Sequence, residues 1–222
     1  MKKKLFAEGM SLKKIFIIFV IGSFFGAAYE ELLVVVKQIL NGLPIMWEYH
    51  RGVIYGPFNP LYWLGMVCFI YFIGKKNLSN FKTFLYSSLL GGFIEYVICF
   101  LQEVFLGTVS WDYSNHFLNI NGRTTIPFMA IWGLFGLILI KLIYPKLSKI
   151  IEQIPINFGN LLVKCLIIFL SLDMLISWTA LFRQTQRSEG KKPMTFIGEL
   201  YDDIYPDEFL AKYFSNMKRI EE

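Results

Sequence analysis

Five apolar segments, each close to the length of a membrane-spanning helix, alternate with short polar stretches along the 222-residue chain. They comprise residues 15–36, 58–74, 83–106, 126–144 and 161–182. A helix needs about 20 apolar residues to cross roughly 30 Å of hydrocarbon, because each residue adds about 1.5 Å. The pattern predicts an all-α protein. It would be a polytopic bundle of five transmembrane helices over residues 1–182, followed by a polar tail over residues 183–222.

The second segment is the shortest, and residues that break helices precede it. Gly56, Pro57 and Pro60 disfavour a regular helix. Residues 52–60 are therefore expected to form a loop that packs among helices, where protein or trapped water satisfies its backbone. A sixth crossing built from residues 42–60 is the alternative. Five crossings place the tail and the N-terminus on opposite sides of the membrane, whereas six place them on the same side.

Basic residues are distributed unevenly between the two sides of this arrangement. One side has Lys37, Arg51 and Arg123. The other side has twelve lysines, which are Lys2, Lys3, Lys4, Lys13, Lys14, Lys75, Lys76, Lys82, Lys141, Lys146, Lys149 and Lys164. Because loops rich in Lys and Arg stay in the cytoplasm, the count predicts a multi-pass plasma-membrane protein with a cytoplasmic N-terminus. The tail, which carries both basic and acidic residues, then lies outside, against the charge rule.

Composition agrees with a protein whose partner is the lipid bilayer. Hydrophobic residues make up 55% of the chain and the mean hydropathy is +0.48, whereas soluble domains are about 45–50% apolar. The net charge of +5 comes from short clusters between apolar segments, so nucleic acid is not an expected partner. The three cysteines and two histidines lack metal-ligand or disulfide spacing, and we predict no metal and no cofactor. No sequence typical of a P-loop ATPase, zinc peptidase or serine hydrolase occurs.

The tail is predicted to contain one amphipathic helix. Pro206 marks its start, and apolar residues follow at spacings of three and four, namely Phe209, Leu210, Tyr213, Phe214 and Met217. Such a helix packs on its own protein or lies on the membrane surface. Docking of a partner is the more specific alternative.

Acidic residues inside the apolar segments are the first candidates for function, because a carboxylate in hydrocarbon needs a partner, water or a task. These candidates are Glu30, Glu95, Glu103 and Asp173. Glu95 lies near mid-membrane, on a stripe of small and polar residues that includes Gly91 and Gly92. Glu103 follows about 12 Å along the helix, so the two resemble steps on a polar path. Asp173 has Ser177 on its own face and is expected to be protonated, hydrated, or bonded to Ser177 and backbone groups.

The loop after the third segment supplies the other candidates. Asp112, Asn119 and Arg123 lie close together there, and Arg51 lies on the same predicted side of the membrane. An Asp112–Arg123 pair that clamps the loop is one interpretation, and a mouth that binds a polar substrate group is the other. For Glu95, the structural alternative is a neutral or ion-paired carboxyl group that holds helices in register.

Three stretches carry a resemblance to a known family. They read YEE at residues 29–31, RGVIYGPFNPLYWLG at 51–65 and EYVICFLQEVFLGTVSWDYSNHFLNINGR at 95–123. Together they resemble the bacterial CmpB-like membrane proteins described as putative ABC-transporter type IV, over residues 15–144 most closely. Where that family reads Gly-Pro followed by Pro-Tyr-Gly, this chain has the bulkier Pro60-Leu61-Tyr62-Trp63. The resemblance implies a transporter permease, and the missing P-loop implies that any ATPase is a separate subunit.

The predicted function is therefore that of a permease with an outward-opening polar cavity. Its predicted lining is Glu30, Glu95, Glu103, Asp112 and Arg123, with Arg51, Asn119 and Asp173 as further binding candidates. An intramembrane enzyme acting on a lipid-linked substrate is one alternative, with Glu95 or Asp112 as general base. A non-catalytic assembly factor, whose acids only fix helix packing, is the other. Enzymatic activity is less expected than transport.

Overall fold

The computed structural model describes residues 5–46 and 49–219. Its helices are α1 (Leu12–Leu40), α2 (Pro60–Cys68), α3 (Asn80–Leu106), α4 (Ile126–Ile138), α5 (Tyr144–Glu152), α6 (Ile156–Ser188), α7 (Phe196–Ile204) and α8 (Asp207–Tyr213). A π-helical segment, Phe69–Gly74, extends α2, and another, Leu139–Ile143, joins α4 to α5. The all-α prediction is confirmed. Lys2, Lys3 and Lys4, which entered the charge count, lie outside the described residues.

The strands within the described residues are only two residues long. They are β1 (Thr108–Val109), β2 (Asn119–Ile120), β3 (Thr124–Thr125) and β4 (Lys218–Arg219). Strand β1 pairs with β4, and β2 pairs with β3, both in antiparallel register. The β2–β3 pair closes the loop between α3 and α4, and the β1–β4 pair ties the end of the tail to the residues that follow α3.

Four helices are long and apolar enough to cross a membrane: α1, α3, the continuous helix Ile126–Glu152, and α6. The second apolar segment falls short, because the apolar part of its helix is Leu64–Gly74. Five or six spans are therefore not confirmed. Residues 42–46 and 49–59 contain no helix. The physical reason is that Gly56 and Pro57 oppose helix formation before Pro60, where a proline N-terminus is tolerated.

The chain folds as two compact units. Within the described residues, the first unit comprises residues 5–23, 60–98 and 112–169. The second comprises residues 24–46, 49–59, 99–111 and 170–219. Helix α6 continues to Ser188 and so runs across the domain boundary predicted at residue 182.

The first unit is built around one apolar core. Ile18 of α1, Phe69 of the π-helical extension of α2, and Leu139 after α4 are completely buried in it. Glycines let α4 approach α3 very closely. A Cβ added at Gly136 would lie 2.4 Å from the Cβ of Ser87, a separation that no real pair of side chains can adopt.

Polar contacts gather several helix ends at one end of the first unit. The Lys14 ammonium group forms an ion pair with Glu152 and donates a hydrogen bond to Ser148 Oγ (2.7 Å). Lys141 Nζ donates to the carbonyl oxygen of Leu78 (2.7 Å). Helix α6 starts only four residues after α5 ends. The starts of α1, α3 and α6 therefore lie at the same end of this unit.

The second unit has its own core, formed by the second half of α6, the tail and the segment that follows α1. Leu210 is completely buried there, against Leu181, Phe214 and Ile54. The backbone of His50 bridges to Phe214. The predicted amphipathic helix exists as α8, shorter than expected, and it packs on its own protein, which confirms that interpretation.

A buried arginine anchors the tail within this unit. Arg183 is 5% exposed, and its Nε and Nη2 donate to the two carboxylate oxygens of Asp202 (2.8 and 2.7 Å). Arg187 Nη1 also donates to Asp202 (2.6 Å). The hydrogen bond from Arg183 is the main reason that the pKa of Asp202 lies below its ordinary value. A bidentate pair of this kind is both strong and geometrically specific.

We expect this pair to make stability pH-dependent. Because the pKa of Asp202 is lower in the folded state than the unfolded value near 3.9, its contribution is complete above about pH 4 and is lost as pH falls further. Asp202→Asn should lower the free energy of unfolding by about 2 kcal/mol at pH 7, and less at pH 3. Thermal unfolding in detergent between these pH values measures the difference. The exposed Asp203→Asn is the matched control, and a deficit independent of pH would contradict the prediction.

Candidate functional site

The loop between α3 and α4 is shaped by its own polar side chains. Asp112 Oδ1 accepts hydrogen bonds from the N–H (2.8 Å) and the hydroxyl (2.6 Å) of Ser114. Asn119 Nδ2 donates to the carbonyl oxygens of Ser114 (3.1 Å) and His116 (3.0 Å), and its Oδ1 accepts from Gly122 N (3.1 Å). Asp and Asn commonly stabilise turns in this way. Two of the predicted binding residues thus fix the loop conformation.

Tyr113 is the residue through which this loop reaches the buried acid of α3. Its N–H donates to Gly122 O (2.7 Å), its ring stacks on Phe128 with 4.8 Å between centroids, and its hydroxyl donates to Glu95 Oε1 (3.2 Å). Gly122 has φ +68°, and a Cβ there would lie 2.5 Å from Ser114 Oγ. Only glycine fits both the backbone angle and the space, so the turn fixes where Tyr113 points.

Glu95 is 4% exposed and is held by neutral groups. Thr124 Oγ1 donates to Glu95 Oε2 (2.6 Å), and the Trp132 side chain is a further hydrogen-bonding neighbour. In the part of the chain that the structure describes, no Lys or Arg forms an ion pair with this carboxyl group. Of the two forms of the structural alternative, an ion-paired Glu95 is therefore not found among the described residues. A buried carboxyl group held only by dipoles can accept a proton or the cationic or hydroxyl group of a ligand.

Close helix packing places Trp132 beside this carboxyl group. A Cβ at Gly91 would lie 2.4 Å from the Cβ of Trp132, so the backbone of α3 meets the Trp132 side chain directly. Gly91 is four residues before Glu95 and lies on the same face of α3. The small-residue stripe therefore serves the site by letting an aromatic residue of α4 reach it.

Arg123 packs on the residue next to Glu95. Its guanidinium group lies 5.3 Å from the Tyr96 ring centroid, and its Nη1 is 3.4 Å from the Tyr96 hydroxyl oxygen. Asn121 Nδ2 donates to the same hydroxyl (3.0 Å). Successive residues of a helix point in different directions. Tyr96, Arg123 and Asn121 therefore form a second cluster, which is positively charged, beside Glu95.

In the second unit, the two adjacent acids of α1 have different partners. Glu31, which is 6% exposed, accepts a hydrogen bond from Arg51 Nε (3.0 Å), and the Arg51 guanidinium lies 4.0 Å from the Tyr49 ring centroid. Glu30 Oε2 lies 3.6 Å from His50 Nδ1. Sequence reasoning placed these two acids on different faces of α1 and selected Glu30 as the binding candidate, because which of two adjacent residues faces an arginine depends on tertiary structure.

Asp173 of α6 is almost fully buried, with 2% of its surface exposed. Its Oδ1 accepts from Tyr55 N (3.0 Å) and Ser177 Oγ (3.1 Å), and Ser177 Oγ accepts from Ile54 N (2.8 Å). The predicted bonding to Ser177 and backbone groups is confirmed. The Oδ2 atom has no hydrogen-bond partner among the described residues. The Tyr55 hydroxyl is hydrogen-bonded to that of Tyr205 (2.9 Å), and burial raises the pKa of Tyr205.

The eight predicted binding residues divide equally between the units. The first unit contains Glu95, Asp112, Asn119 and Arg123, and the second contains Glu30, Arg51, Glu103 and Asp173. Glu103 is half-buried on α3, and its carbonyl oxygen accepts from Gly107 N (3.0 Å). A cavity lined by residues of both units stays a prediction. The structure brings together Glu95, Tyr113, Thr124 and Trp132, which we call the Glu95 cluster.

Sequence reasoning missed three of the four members of this cluster. Thr124 precedes Thr125, whose hydroxyl accepts a hydrogen bond from Phe128 N (3.1 Å) at the start of α4. A threonine followed by Ile-Pro is a recognisable helix start, and this signal could have placed Thr124 at the top of α4 near Tyr113. No three His, Cys, Asp or Glu side chains within the described ranges gather as a metal site.

A protein-family model described as putative ABC-transporter type IV matches residues 17–178, well over half of the chain. The matched range includes the whole Glu95 cluster and ends before the tail. Comparisons with curated proteins and with solved structures find no match.

Proposed function

Since this chain belongs to the putative ABC-transporter type IV family, we propose that it is the membrane-embedded permease subunit of a transporter. The observation that carries the proposal is Glu95, a buried acid in a candidate membrane span whose hydrogen-bonding partners are neutral. An acid in a membrane span is costly, and it is by default a candidate for a substrate, ion or proton pathway. The Glu95 cluster is thus the proposed point of contact with a polar or cationic cargo.

We further propose that the chain crosses the plasma membrane five times, with the N-terminus in the cytoplasm. Helices α1, α3 and α6 start at the same end of the first unit and so cross in the same direction. The chain must return between α1 and α3, and Pro60–Gly74 is the helix that the described residues provide there. It would span only about 22 Å at 1.5 Å per residue, and the loop over residues 52–59 would complete the crossing.

This topology makes an accessibility prediction. Single cysteines introduced in a background without the three native ones should react from one side only. Asn77→Cys and Gln153→Cys should be labelled only from the cytoplasm. Both lie near Lys75, Lys76 and Lys149, at the end of the first unit where α1, α3 and α6 start, which we call the lysine-rich end. Asn115→Cys and Lys192→Cys should be labelled only from outside. All four side chains are exposed. Asn41→Cys, which is exposed after the end of α1, should also be labelled only from outside. Labelling of positions 41 and 77 from the same side would remove the crossing by Pro60–Gly74.

The permease proposal requires an energy source, because this chain has no P-loop sequence. The proposed partner is a separate ATPase subunit. We expect the tagged protein, purified in mild detergent, to carry a nucleotide-binding protein in fixed stoichiometry, and the complex to hydrolyse ATP.

The control for this purification is an established ABC transporter treated identically. If that complex survives and the present chain is purified alone, the proposal fails. Turnover of a lipid-linked substrate by the isolated chain would then favour the enzymatic alternative. Co-purification with unassembled membrane proteins, without ATP hydrolysis, would favour an assembly factor.

A further inference from the structure

A groove of about 510 Å³ lies between the starts of α1 and α6 in the first unit. Lys13, Asn160 and Lys164 provide its polar groups, and Phe16, Val163 and Ile167 provide apolar walls. None of the predicted binding residues lines it. A volume of this size suits a small molecule or one end of a lipid.

The polar part of the groove is organised around two lysines. Lys13 Nζ donates to Asn160 Oδ1 (2.5 Å), which fixes the Lys13 ammonium group at the start of α6 without neutralising it. Lys164 is exposed and forms no ion pair with any described residue. It lies about 12 Å along α6 from the first residue of that helix. The groove therefore carries two positive charges and no matching carboxylate.

The position of Lys164 allows its ammonium group to bind an anionic group of the membrane. Helix α6 has 33 residues and is about 50 Å long, so its first turns extend beyond a hydrocarbon core of about 30 Å. Lys164 then lies near the interface, where lipid phosphates are found and where a lysine side chain can extend toward them. Phe16, Val163 and Ile167 offer an apolar surface to an acyl chain. Because the lysines lie next to an apolar wall, the groove favours a ligand that has both an anionic group and an apolar chain.

We propose that this groove is a binding site for an anionic phospholipid. Lys13 and Lys164 receive its phosphate, and Phe16, Val163 and Ile167 contact one acyl chain. The site lies at the lysine-rich end of the first unit, where the membrane leaflet supplies the ligand directly. It does not depend on the permease function, because neither the Glu95 cluster nor an ATPase contributes to it.

Native mass spectrometry of the intact protein in detergent tests the site, by titration with phosphatidylglycerol or phosphatidylcholine. Two lysines that contact an anionic headgroup should make the affinity for phosphatidylglycerol roughly 30-fold higher than that for phosphatidylcholine. We expect phosphatidylglycerol to bind more tightly by about that factor, and Lys13→Gln/Lys164→Gln to abolish the preference. The matched control is Lys146→Gln/Lys149→Gln, which removes the same charge from exposed positions on α5. That variant should retain the preference.

A second variant tests the apolar wall without changing charge. Ile167→Trp should fill the groove and weaken binding of both lipids several-fold, while the protein keeps its thermal stability. Inorganic phosphate at millimolar concentration should not displace phosphatidylglycerol, since it lacks the acyl chain. Equal affinity for the two lipids, equal loss in the α5 control, or displacement by phosphate would each overturn the proposal.

Discussion

Replacing Gly136 with leucine should destabilise the protein more than any other single substitution proposed for the first unit. The Cβ alone would lie 2.4 Å from Ser87 Cβ and 2.2 Å from Ser87 Oγ. A Cβ close to the backbone cannot move aside as the end of a long side chain can, so α3 and α4 must separate. Overpacking costs about 1–3 kcal/mol in ordinary cores, and we expect at least about 3 kcal/mol for leucine at this contact.

A smaller substitution at Gly136 should destabilise the protein less, and a second substitution at Ser87 should restore stability. Gly136→Ala should lower the free energy of unfolding by about 2 kcal/mol, whereas Gly74→Ala, whose Cβ would have its nearest neighbour at 3.8 Å, should change it little. Adding Ser87→Gly to Gly136→Ala should restore most of the loss. Ser87 Oγ is buried without a hydrogen-bond partner in the described part of the chain, so its removal sacrifices no bond. Thermal unfolding in detergent measures all three.

A double variant no more stable than Gly136→Ala would show that the clash is not with Ser87. The same packing supports the functional site, because Gly91 lets Trp132 reach Glu95, which lies about two turns along α3 from Ser87. A helix pair forced apart at Gly136 should therefore also lose contacts in the Glu95 cluster. The prediction thus connects stability of the α3–α4 pair with the geometry of the proposed pathway.

The helical architecture could be predicted from hydrophobicity because the signal is local. Long apolar segments become long helices, and the segment from residue 58 was recognisable as unusual from its prolines. Whether Pro60–Gly74 crosses the membrane could not be decided locally. Its length falls short of the usual requirement, and the case for a crossing rests on where α1 and α3 start in three dimensions.

The contacts of the candidate site could likewise be predicted only where the two residues are close in sequence. Asp173 and Ser177 are four residues apart on one helix, and their contact follows from helical periodicity. Glu95 and Thr124 are 29 residues apart in sequence, and their contact depends on the turn at Gly122 and the start of α4. Periodicity also cannot decide between Glu30 and Glu31, because the choice depends on the position of Arg51.

Replacing Glu95 with glutamine should remove function while preserving the fold. Glutamine has the shape of glutamate, and its carbonyl oxygen can still accept the hydrogen bond from Tyr113 or Thr124. It cannot take up a proton or carry a negative charge. If the carboxyl group contacts cargo with the strength of one charged hydrogen bond, losing that bond should lower the rate of transport, and of the ATP hydrolysis coupled to it, by about 10- to 100-fold. The free energy of unfolding should change by less than about 1 kcal/mol.

Two measurements separate the functional effect from a structural one. The first is ATP hydrolysis by the co-purified complex in lipid nanodiscs, together with the growth of a deletion strain carrying the variant. The second is thermal unfolding of the same preparation. Thr124→Val is the matched variant, since it removes a donor to Glu95 Oε2 but keeps the acid. We expect it to reduce the rate less than Glu95→Gln does.

Comparing these two variants distinguishes a structural role of the Glu95 carboxyl group from a role in contacting cargo. If the carboxyl group only held α3 against the loop, losing the Thr124 donor and losing the charge would both appear as lower stability, and activity would follow stability. If the charge serves a polar or cationic cargo, Glu95→Gln lowers the rate in a protein that unfolds at the wild-type temperature. Unchanged activity in Glu95→Gln would remove this residue from the mechanism and leave the Glu95 cluster a packing feature of the α3–α4 pair.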